Sequence, residues 1–230
     1  MKSMHVYELP IARNVCNQLL REVDRTSSSS MAHVIMNPKE DSLFHDHQMF
    51  GEIYVITRGK GHLVFGVSLL AVEPGDVILI PPRVGHKLTN TGVVSLEHLV
   101  LSTPPFNPAD VHLRDSILSA DVLPQRFDRP PVDDCFDGAK IVAYDFVAID
   151  KKVVDTSVAF GWVMADPKRR KPAHYHKISS EWIYVVEGMG FIEIDGKSDA
   201  PTCSSDNDCF HVFIITDPLA LSLLVPSQSR

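Results

Sequence analysis

The sequence predicts an all-β protein in which one structural unit occurs twice. Short runs of β-branched and other apolar residues are separated by Gly, Pro, Asn and Asp along the 230 residues, as in β-sandwiches and barrels. A set of histidine, glutamate and glycine residues also recurs after a constant shift of 129 positions. Because this period is about half the chain, it indicates a duplicated domain and not a solenoid.

The predicted elements are strands, with two short helices outside the repeated units. In the first unit the strands are expected at 52–57, 62–65, 77–80 and 93–101. In the second unit they are expected at 157–164, 182–186, 191–194, 211–216 and 219–225. The short helices are expected at 15–23 and 108–119. The expected organisation is an N-terminal extension at 1–29, a first unit at 30–104, a linker at 105–140 and a second unit at 141–230.

The composition is that of an ordinary globular protein, and it argues against nucleic-acid and membrane partners. The formal net charge is -7, whereas nucleic-acid-binding surfaces are basic. The chain contains no apolar run of about 18 residues that would span a bilayer, and its N-terminus lacks the apolar segment of a secretory signal. The four cysteines are too scattered for a disulfide framework, so we expect a cytoplasmic protein.

Four residues of the first unit form a candidate metal site: His45, His47, Glu52 and His86. A His-x-His sequence on a strand directs both imidazoles to one face, because side chains alternate with a period of two. Glu52 opens the next predicted strand and His86 opens a later one. Three imidazoles and one carboxylate suit Fe(II), Mn(II), Co(II), Ni(II) or Zn(II), and they leave coordination positions for substrate or water.

The second unit repeats this pattern with His174, His176, Glu181 and His211. One His-x-His is unsurprising in a chain with 11 histidines, but two copies with the same spacing to a glutamate and a glycine are not. His211 takes the place of the third histidine because it opens a strand-like run, as His86 does. We therefore predict one divalent metal ion in each unit.

These residues resemble the two motifs of the cupin superfamily, and their duplication resembles the bicupins. The first cupin motif is matched by His45, His47, Glu52 and Gly59, with Lys39 in place of its leading glycine. The second motif is matched by Gly75, Pro81, His86 and Asn90, with Arg83 in place of its inner glycine. In the second unit the first motif recurs at His174, His176, Glu181 and Gly188, whereas the second motif survives only as His211.

The resemblance implies a jelly-roll β-barrel for each unit, with the metal inside. It leaves the reaction open, because cupins include dioxygenases, isomerases, lyases, decarboxylases and non-catalytic binders. Acidic bicupins that resemble this chain include many dioxygenases, which favours Fe(II) over Mn, Ni, Co or Zn.

Strand alternation also predicts the side chains around the first site. If Glu52 points inward, Tyr54 and Arg58 do so as well, and Asn90 follows His86. Arg83 lies three residues before His86 and could bind a carboxylate in a bidentate manner; the alternative is an exposed arginine at the barrel mouth. The predicted substrate-binding residues are Tyr54, Arg58, Arg83 and Asn90, and the predicted catalytic residues are Tyr54, Glu52 and Arg83. Because the second site has apolar neighbours, we assign the reaction to the first.

The favoured function is a mononuclear Fe(II)-type dioxygenase acting on a small organic substrate, with a homodimer as a compatible assembly. One alternative is an isomerase, lyase or cyclase in which a non-redox metal acts as a Lewis acid on a carbonyl and Tyr54 or Glu52 moves the proton. The other alternative is a non-catalytic small-molecule binder.

Overall fold

The computed structural model describes ten stretches of the chain: 2–115, 125–127, 141–143, 147–153, 159–165, 181–185, 191–194, 197–199, 211–215 and 221–224. In these stretches the regular elements are β-strands, apart from the single 3₁₀ turns Val6–Glu8 and Pro108–Asp110. The predicted all-β class is therefore confirmed. None of the helical segments in these stretches has the length and apolar character needed to cross a membrane.

The chain forms two compact units. The N-terminal unit comprises Leu9–Arg129, and the C-terminal unit comprises Pro130–Arg230 together with Met1–Glu8. The first strand of the chain, β1 (Lys2–His5), belongs to the C-terminal unit. The strands of the N-terminal unit are β2 (Ala12–Arg13), β3 (Leu19–Arg25), β4 (Ser30–Met36), β5 (His45–His47), β6 (Gly51–Arg58), β7 (Gly61–Phe65), β8 (Ser68–Val72), β9 (Val77–Ile80), β10 (His86–Asn90), β11 (Leu96–Thr103), β12 (Val111–Leu113) and β13 (Gln125–Phe127).

The N-terminal unit consists of two antiparallel sheets. One has five strands in the order β12-β5-β10-β7-β8, and the other has seven in the order β13-β9-β6-β11-β4-β3-β2. Leu63, Phe65 and Leu88 of the smaller sheet and Ile56 and Ile78 of the larger one belong to one buried apolar cluster. Each such side chain contributes about 1.5–3 kcal/mol when it leaves water, so this cluster holds the sheets together.

Gly59 ends β6 and allows the chain to turn into β7. Its φ is +78°, and a Cβ atom at this position would lie 2.8 Å from the Cα of Leu96. A larger residue would be strained by its backbone conformation and would also collide with β11. The glycine of the first motif is therefore required by the turn after the strand that carries Glu52.

The helix predicted at 15–23 is wrong, because these residues form a turn followed by β3. Asn14 accepts hydrogen bonds on its side-chain oxygen from the backbone N–H groups of Cys16 and Gln18. Asn17 has a positive φ of 65°, which is incompatible with a right-handed helix. Leu19 and Leu20 of this segment instead belong to β3, which pairs with β4.

The helix predicted at 108–119 is also not observed in the part of this segment that the structure describes. Asn107 caps the 3₁₀ turn by accepting a hydrogen bond from the backbone N–H of Ala109 at 3.0 Å. The chain then enters β12, which pairs with β5 through Val111 opposite His47. The residues of β12, which the sequence analysis placed in a linker, thus form the edge of the sheet that carries three of the predicted metal ligands.

The C-terminal unit contains three small antiparallel sheets among the described residues, in the orders β1-β20-β17, β14-β15-β16 and β19-β18-β21. Their strands after β13 are β14 (Ile141–Ala143), β15 (Val147–Val153), β16 (Ala159–Ala165), β17 (Glu181–Val185), β18 (Phe191–Ile194), β19 (Lys197–Asp199), β20 (His211–Ile215) and β21 (Leu221–Leu224). The predicted strand at 191–194 is confirmed at both ends.

Candidate metal centre

Three strands of the N-terminal unit bring the predicted ligands together. His45 and His47 are the ends of β5, and their side chains share a face because the residue between them points the other way. His86 opens β10 directly opposite His45. Glu52 is the second residue of β6 and therefore comes from the other sheet. The site lies between the two sheets, and all four residues are buried.

The four side chains converge closely. One ligand atom from each of them lies within 4.8 Å of the others. Glu52 Oε2 is 3.3 Å from His86 Nε2 and 3.6 Å from His47 Nε2, and the rings of His45 and His86 are 4.2 Å apart between centroids. A first-row metal ion holds its ligands at about 2.1 Å and therefore at most about 4.2 Å from one another. The observed spacing is close to that limit.

Backbone carbonyl groups orient two of the imidazoles. The Nδ1–H of His45 donates to the carbonyl of Leu43 at 2.7 Å, and that of His86 donates to the carbonyl of Val84 at 3.0 Å. Since a ring nitrogen that faces a carbonyl must carry the proton, the other nitrogen, Nε2, has an available lone pair. This arrangement is typical of histidines that bind metal through Nε2.

Electrostatics also favour the ligand forms of these groups. Burial, followed by the proximity of His86, lowers the pKa of His45 to about 3. Burial alone would raise the pKa of Glu52, but the nearby Nε2 atoms of His47 and His86 outweigh it and lower that pKa below its usual value. At neutral pH the centre therefore contains a neutral imidazole and an ionised carboxylate, the protonation states that metal binding requires.

Several polar atoms of the centre are buried without a hydrogen-bond partner among the described residues. They are His47 Nδ1, His47 Nε2, Glu52 Oε2 and His86 Nε2. Buried polar atoms nearly always have a partner, and a divalent metal ion would supply one to the Nε2 atoms and to Glu52. The four residues therefore fit a metal ion.

Asp46, which stands between the two histidines of β5, anchors this strand from the opposite face. The guanidinium of Arg114 donates to both of its carboxylate oxygens, at 2.6 and 3.1 Å, and Gln48 donates to it at 2.8 Å. Burial would raise the pKa of Asp46, but the hydrogen bond from Arg114 lowers it overall. Sequence analysis missed this pair, because its partners are 68 residues apart.

A narrow cavity adjoins the metal centre. Its volume is about 50 Å³, counted as the space that the centre of a water molecule can occupy. This is room for a few waters or a small substrate group. Two ligands, His45 and Glu52, line the cavity. Its other lining residues include Cys16, Leu20, Tyr54, His98, Val100 and Ser102. Cys16 and His98 were not predicted, because nothing in their local sequence marks them.

Tyr54 is the predicted substrate-binding residue that the structure places in this cavity. It is buried, and its ring lies 6.0 Å from that of His86 and 4.6 Å from that of His98 between centroids. Burial, followed by the charge of Glu52, raises the pKa of Tyr54 well above its ordinary value. The phenol therefore keeps its proton and can act as a hydrogen-bond donor. Burial, followed by Glu52, likewise raises the pKa of Cys16 to about 12, so this thiol is not a nucleophile.

Arg58 and Asn90 do not reach the centre, which corrects their predicted substrate role. Arg58 is six residues beyond Glu52 on β6, a distance of about 20 Å, and its half-exposed side chain lies 3.4 Å from Glu97 Oε1. The side-chain amide of Asn90 donates to the carbonyl groups of Met36 and Val94 and accepts from the N–H of Gly92. These three hydrogen bonds connect the end of β4 with the loop after β10.

Arg83 has an exposed side chain and is absent from the cavity wall. Its backbone explains its place in the motif, since it has a φ of +69° and its N–H donates to the carbonyl of His47 at 2.5 Å. Lys39 also has a φ of +69°, and Gly75 has a φ of +102°. All four positions where the resemblance expects glycine, including Gly59, thus adopt the left-handed conformation, although two of them carry long side chains.

The second predicted ligand set is not assembled as expected. His174 and His176 lie outside the described residues. Glu181 opens β17, one residue before the predicted start of this strand. It pairs with Ile215, whereas His211 pairs with Val185 at the other end of the strand. Glu181 and His211 are therefore about 13 Å apart along the sheet. This is too far for both to bind one ion, so the assignment of His211 is corrected.

Strand pairing shows which residue holds the place of the third histidine. In the N-terminal unit, His86 pairs with Phe65 of β7. In the C-terminal unit the corresponding strand is β18, and Ile194, 129 positions after Phe65, pairs with Leu221 of β21. The strand β20, which begins with His211, pairs with β17 as β9 pairs with β6. A leucine thus occupies the position of His86 in the second copy.

Comparisons with known proteins agree with this architecture. Residues 32–102 match the family model described as a cupin domain. An uncharacterized protein of Methanocaldococcus jannaschii is 36% identical over 84 residues, which cover 36% of this chain and 67% of that protein.

Solved structures similar to this chain include two enzymes and a globulin. A salicylate 1,2-dioxygenase mutant from Pseudoaminobacter salicylatoxidans, in complex with gentisate, has a TM-score of 0.69 and 11% identity, over 88% of this chain and 67% of that one. Oxalate decarboxylase of Bacillus subtilis has a TM-score of 0.65 and 12% identity, over 100% and 74%. Momordica charantia 7S globulin has a TM-score of 0.65 and 13% identity, over 99% and 81%. At such identities the similarity shows the fold alone.

Proposed function

We propose that this chain, whose residues 32–102 match the cupin domain model, is a mononuclear metal-dependent oxygenase whose reaction takes place in the N-terminal unit. The observation that carries the proposal is the buried set of His45, His47, Glu52 and His86, whose unpartnered atoms converge beside a cavity. A substrate would enter this cavity and meet the metal ligands at its wall. The expected substrate is a small organic molecule, because the cavity is narrow.

The four residues would hold one divalent ion, and Fe(II) is the favoured one. A bound Fe(II) would supply redox chemistry with O2, whereas Mn, Co, Ni or Zn would supply Lewis acidity toward a carbonyl oxygen. The similarity in fold to a salicylate 1,2-dioxygenase supports the redox alternative.

The residues of the chain itself would bind the substrate and keep bulk water away. Tyr54 retains its proton, so its phenol would donate a hydrogen bond to a substrate oxygen beside Glu52. Phe50 and Phe106 pack on the ring of His47 at centroid distances of 4.0 and 6.2 Å. These apolar rings shield the centre from solvent, which strengthens its electrostatic interactions.

The proposal is tested by metal analysis of protein purified without a chelating tag, combined with oxygen uptake on 2-oxo acids, diketones and polyphenols. We expect about one equivalent of iron and substrate-dependent oxygen uptake. Tyr54→Phe should retain the metal and lower turnover, because it removes only the hydroxyl group. His62→Gln, at an exposed position on β7, is the matched control and should leave both quantities unchanged. Protein that binds no divalent metal at all would refute the proposal.

A non-redox isomerase, lyase or cyclase is the second candidate, favoured by the retained proton of Tyr54. In this case the phenol would transfer its proton to a substrate oxygen or carbon, and a metal held by the four ligands would supply Lewis acidity toward a carbonyl group. Zinc or manganese in the purified protein, with no oxygen uptake on any compound of the panel, would support this candidate over the oxygenase.

A further inference from the structure

We infer that His98 recognises the end of the substrate that is remote from the metal ligands, through a hydrogen bond to a hydroxyl or carbonyl group. This inference rests on the proposed function, because it assumes that the substrate binds in the cavity beside the metal centre. It adds a specificity-determining residue that belongs to neither of the two motifs.

His98 is a buried polar side chain without a partner. Neither of its ring nitrogens has a hydrogen-bond partner among the described residues, and its side chain is 0% exposed. Burying a polar group in this state is unfavourable. Burial also lowers the pKa of His98 to about 3, so the ring is neutral and presents one donor and one acceptor.

A second buried histidine, His33, provides a comparison. His33 on β4 is equally buried, but its Nε2 lies 3.0 Å from Glu97 Oε2. His33 does not line the cavity, whereas His98 does. The protein thus provides a side-chain partner for the histidine outside the cavity, and the one on the cavity wall is left for a molecule inside it.

The position of His98 along β11 sets the length of the expected ligand. Ser102 pairs with Glu52, Val100 with Tyr54 and His98 with Ile56. The Cα of His98 is therefore about 13 Å along the strand from the level of Glu52, but its ring lies closer to the metal centre, 4.6 Å from the ring of Tyr54, which is itself 6.0 Å from that of His86. The rings of His98 and His86 are thus no more than about 11 Å apart, which limits the span of the expected ligand.

The cavity wall between these two levels includes the apolar side chains of Leu20 and Val100. The cavity consequently has polar groups at both ends, with apolar surface and the side chain of Tyr54 in between. It suits an elongated small molecule with a metal-binding oxygen at one end, an apolar body, and a hydroxyl or carbonyl group at the other.

The test uses simple chelators because they bind the metal through the same head group whatever the natural substrate is. Straight-chain alkyl hydroxamates of about four to eight carbons, ending in either a methyl or a hydroxyl group, are titrated into the metal-loaded full chain by calorimetry. For at least one chain length we expect the hydroxyl-terminated compound to bind about fivefold to tenfold more tightly than its methyl-terminated counterpart. His98→Leu should abolish this preference, while His62→Leu should retain it.

The outcomes separate the two proposals. If no hydroxamate binds to the metal-loaded protein, the accessible metal centre itself is refuted, and the inference with it. If hydroxamates bind but the wild type shows no preference for the hydroxyl terminus at any length, only the role of His98 is refuted. The imidazole ¹⁵N shifts of the Zn(II)-loaded wild type give a second measurement if the leucine variant does not fold. Those of His98 should change with the hydroxyl-terminated compound and not with the methyl-terminated one.

Discussion

The two copies of the repeated unit share strands but differ in one decisive residue. The pairing of β6 with β9 in the N-terminal unit corresponds to that of β17 with β20 in the C-terminal unit. Where the first copy has His86 opposite β7, the second has Leu221 opposite β18. A repeated unit can therefore preserve its strand pairing and the sequence of its first motif while losing a ligand from its second. The ligand set is defined by sheet register and not by the nearest histidine in the sequence.

The most direct way to test this comparison is His86→Leu, which gives the first copy the residue of the second. Metal affinity should fall by more than the roughly 10–100-fold loss that follows from removing an outer-shell partner, since a direct ligand is lost. Calorimetric titration with Zn(II) and elemental analysis of the purified protein would measure the change. Circular dichroism checks that the variant is folded.

The matching substitution in the second copy is His211→Leu. Because His211 lies at the wrong end of its strand to join Glu181, this variant should keep the metal content and the affinity of the wild type. A loss of one equivalent of metal from His211→Leu would show that the register-based assignment is wrong.

The anchoring of β5 gives the next largest expected effect. Asp46→Asn keeps the size of the side chain but removes the charge that Arg114 and Gln48 bind. Because Asp46 is not a ligand, the metal should still bind, with an affinity about 10-fold lower. Arg114→Gln should have a similar effect, and the double variant should lose little more than either single one. Additive losses would indicate that the two residues act independently.

Acid should destabilise the metal-free N-terminal unit through its buried histidines. The pKa values of His45 and His98 are lowered to about 3 by burial, so the unfolded chain binds protons that the folded chain does not. Stability is therefore lost as the pH falls from about 6.5 toward 3, by about 2 kcal/mol per histidine between pH 7 and pH 5. Urea unfolding at both pH values would measure this loss, and His98→Leu should remove about half of it. A wild-type stability that does not change between pH 7 and pH 5 would contradict the prediction.

The smallest expected effect concerns the two loops in which other residues replace the motif glycines. Lys39→Gly and Arg83→Gly should each stabilise the apo-protein by about 0.5–1 kcal/mol, because glycine relieves the left-handed strain at a cost in chain entropy. Lys39→Ala and Arg83→Ala retain the strain and should give no gain. Thermal unfolding compares the four variants. If both Arg83 variants bound the substrate more weakly than the wild type, the predicted substrate-binding role of Arg83 would be supported after all.

The sequence was sufficient for the first site because its information is local. The spacing of His45 and His47 on one strand, with Glu52 at the start of the next, forces the three side chains toward one point once two sheets pack. The sequence did not predict the structure of residues 15–23 correctly. There the side chain of Asn14 accepts hydrogen bonds from the backbone and Asn17 has a positive φ, so the chain forms a turn and not a helix. The sequence also failed for Arg58 and Asn90, because alternation gives the face of a strand but not the distance along it.

The sequence by itself determined the all-β class, the family resemblance and the four residues of the metal centre, since alternation and turn residues act over a few positions. Only the tertiary structure decided that Leu221 and not His211 stands in the third position of the second copy. Only the structure showed that Arg114 binds Asp46 and that Cys16 and His98 line the cavity. These outcomes depend on which strands pair and in which register, and pairing is set by packing between residues far apart in the chain.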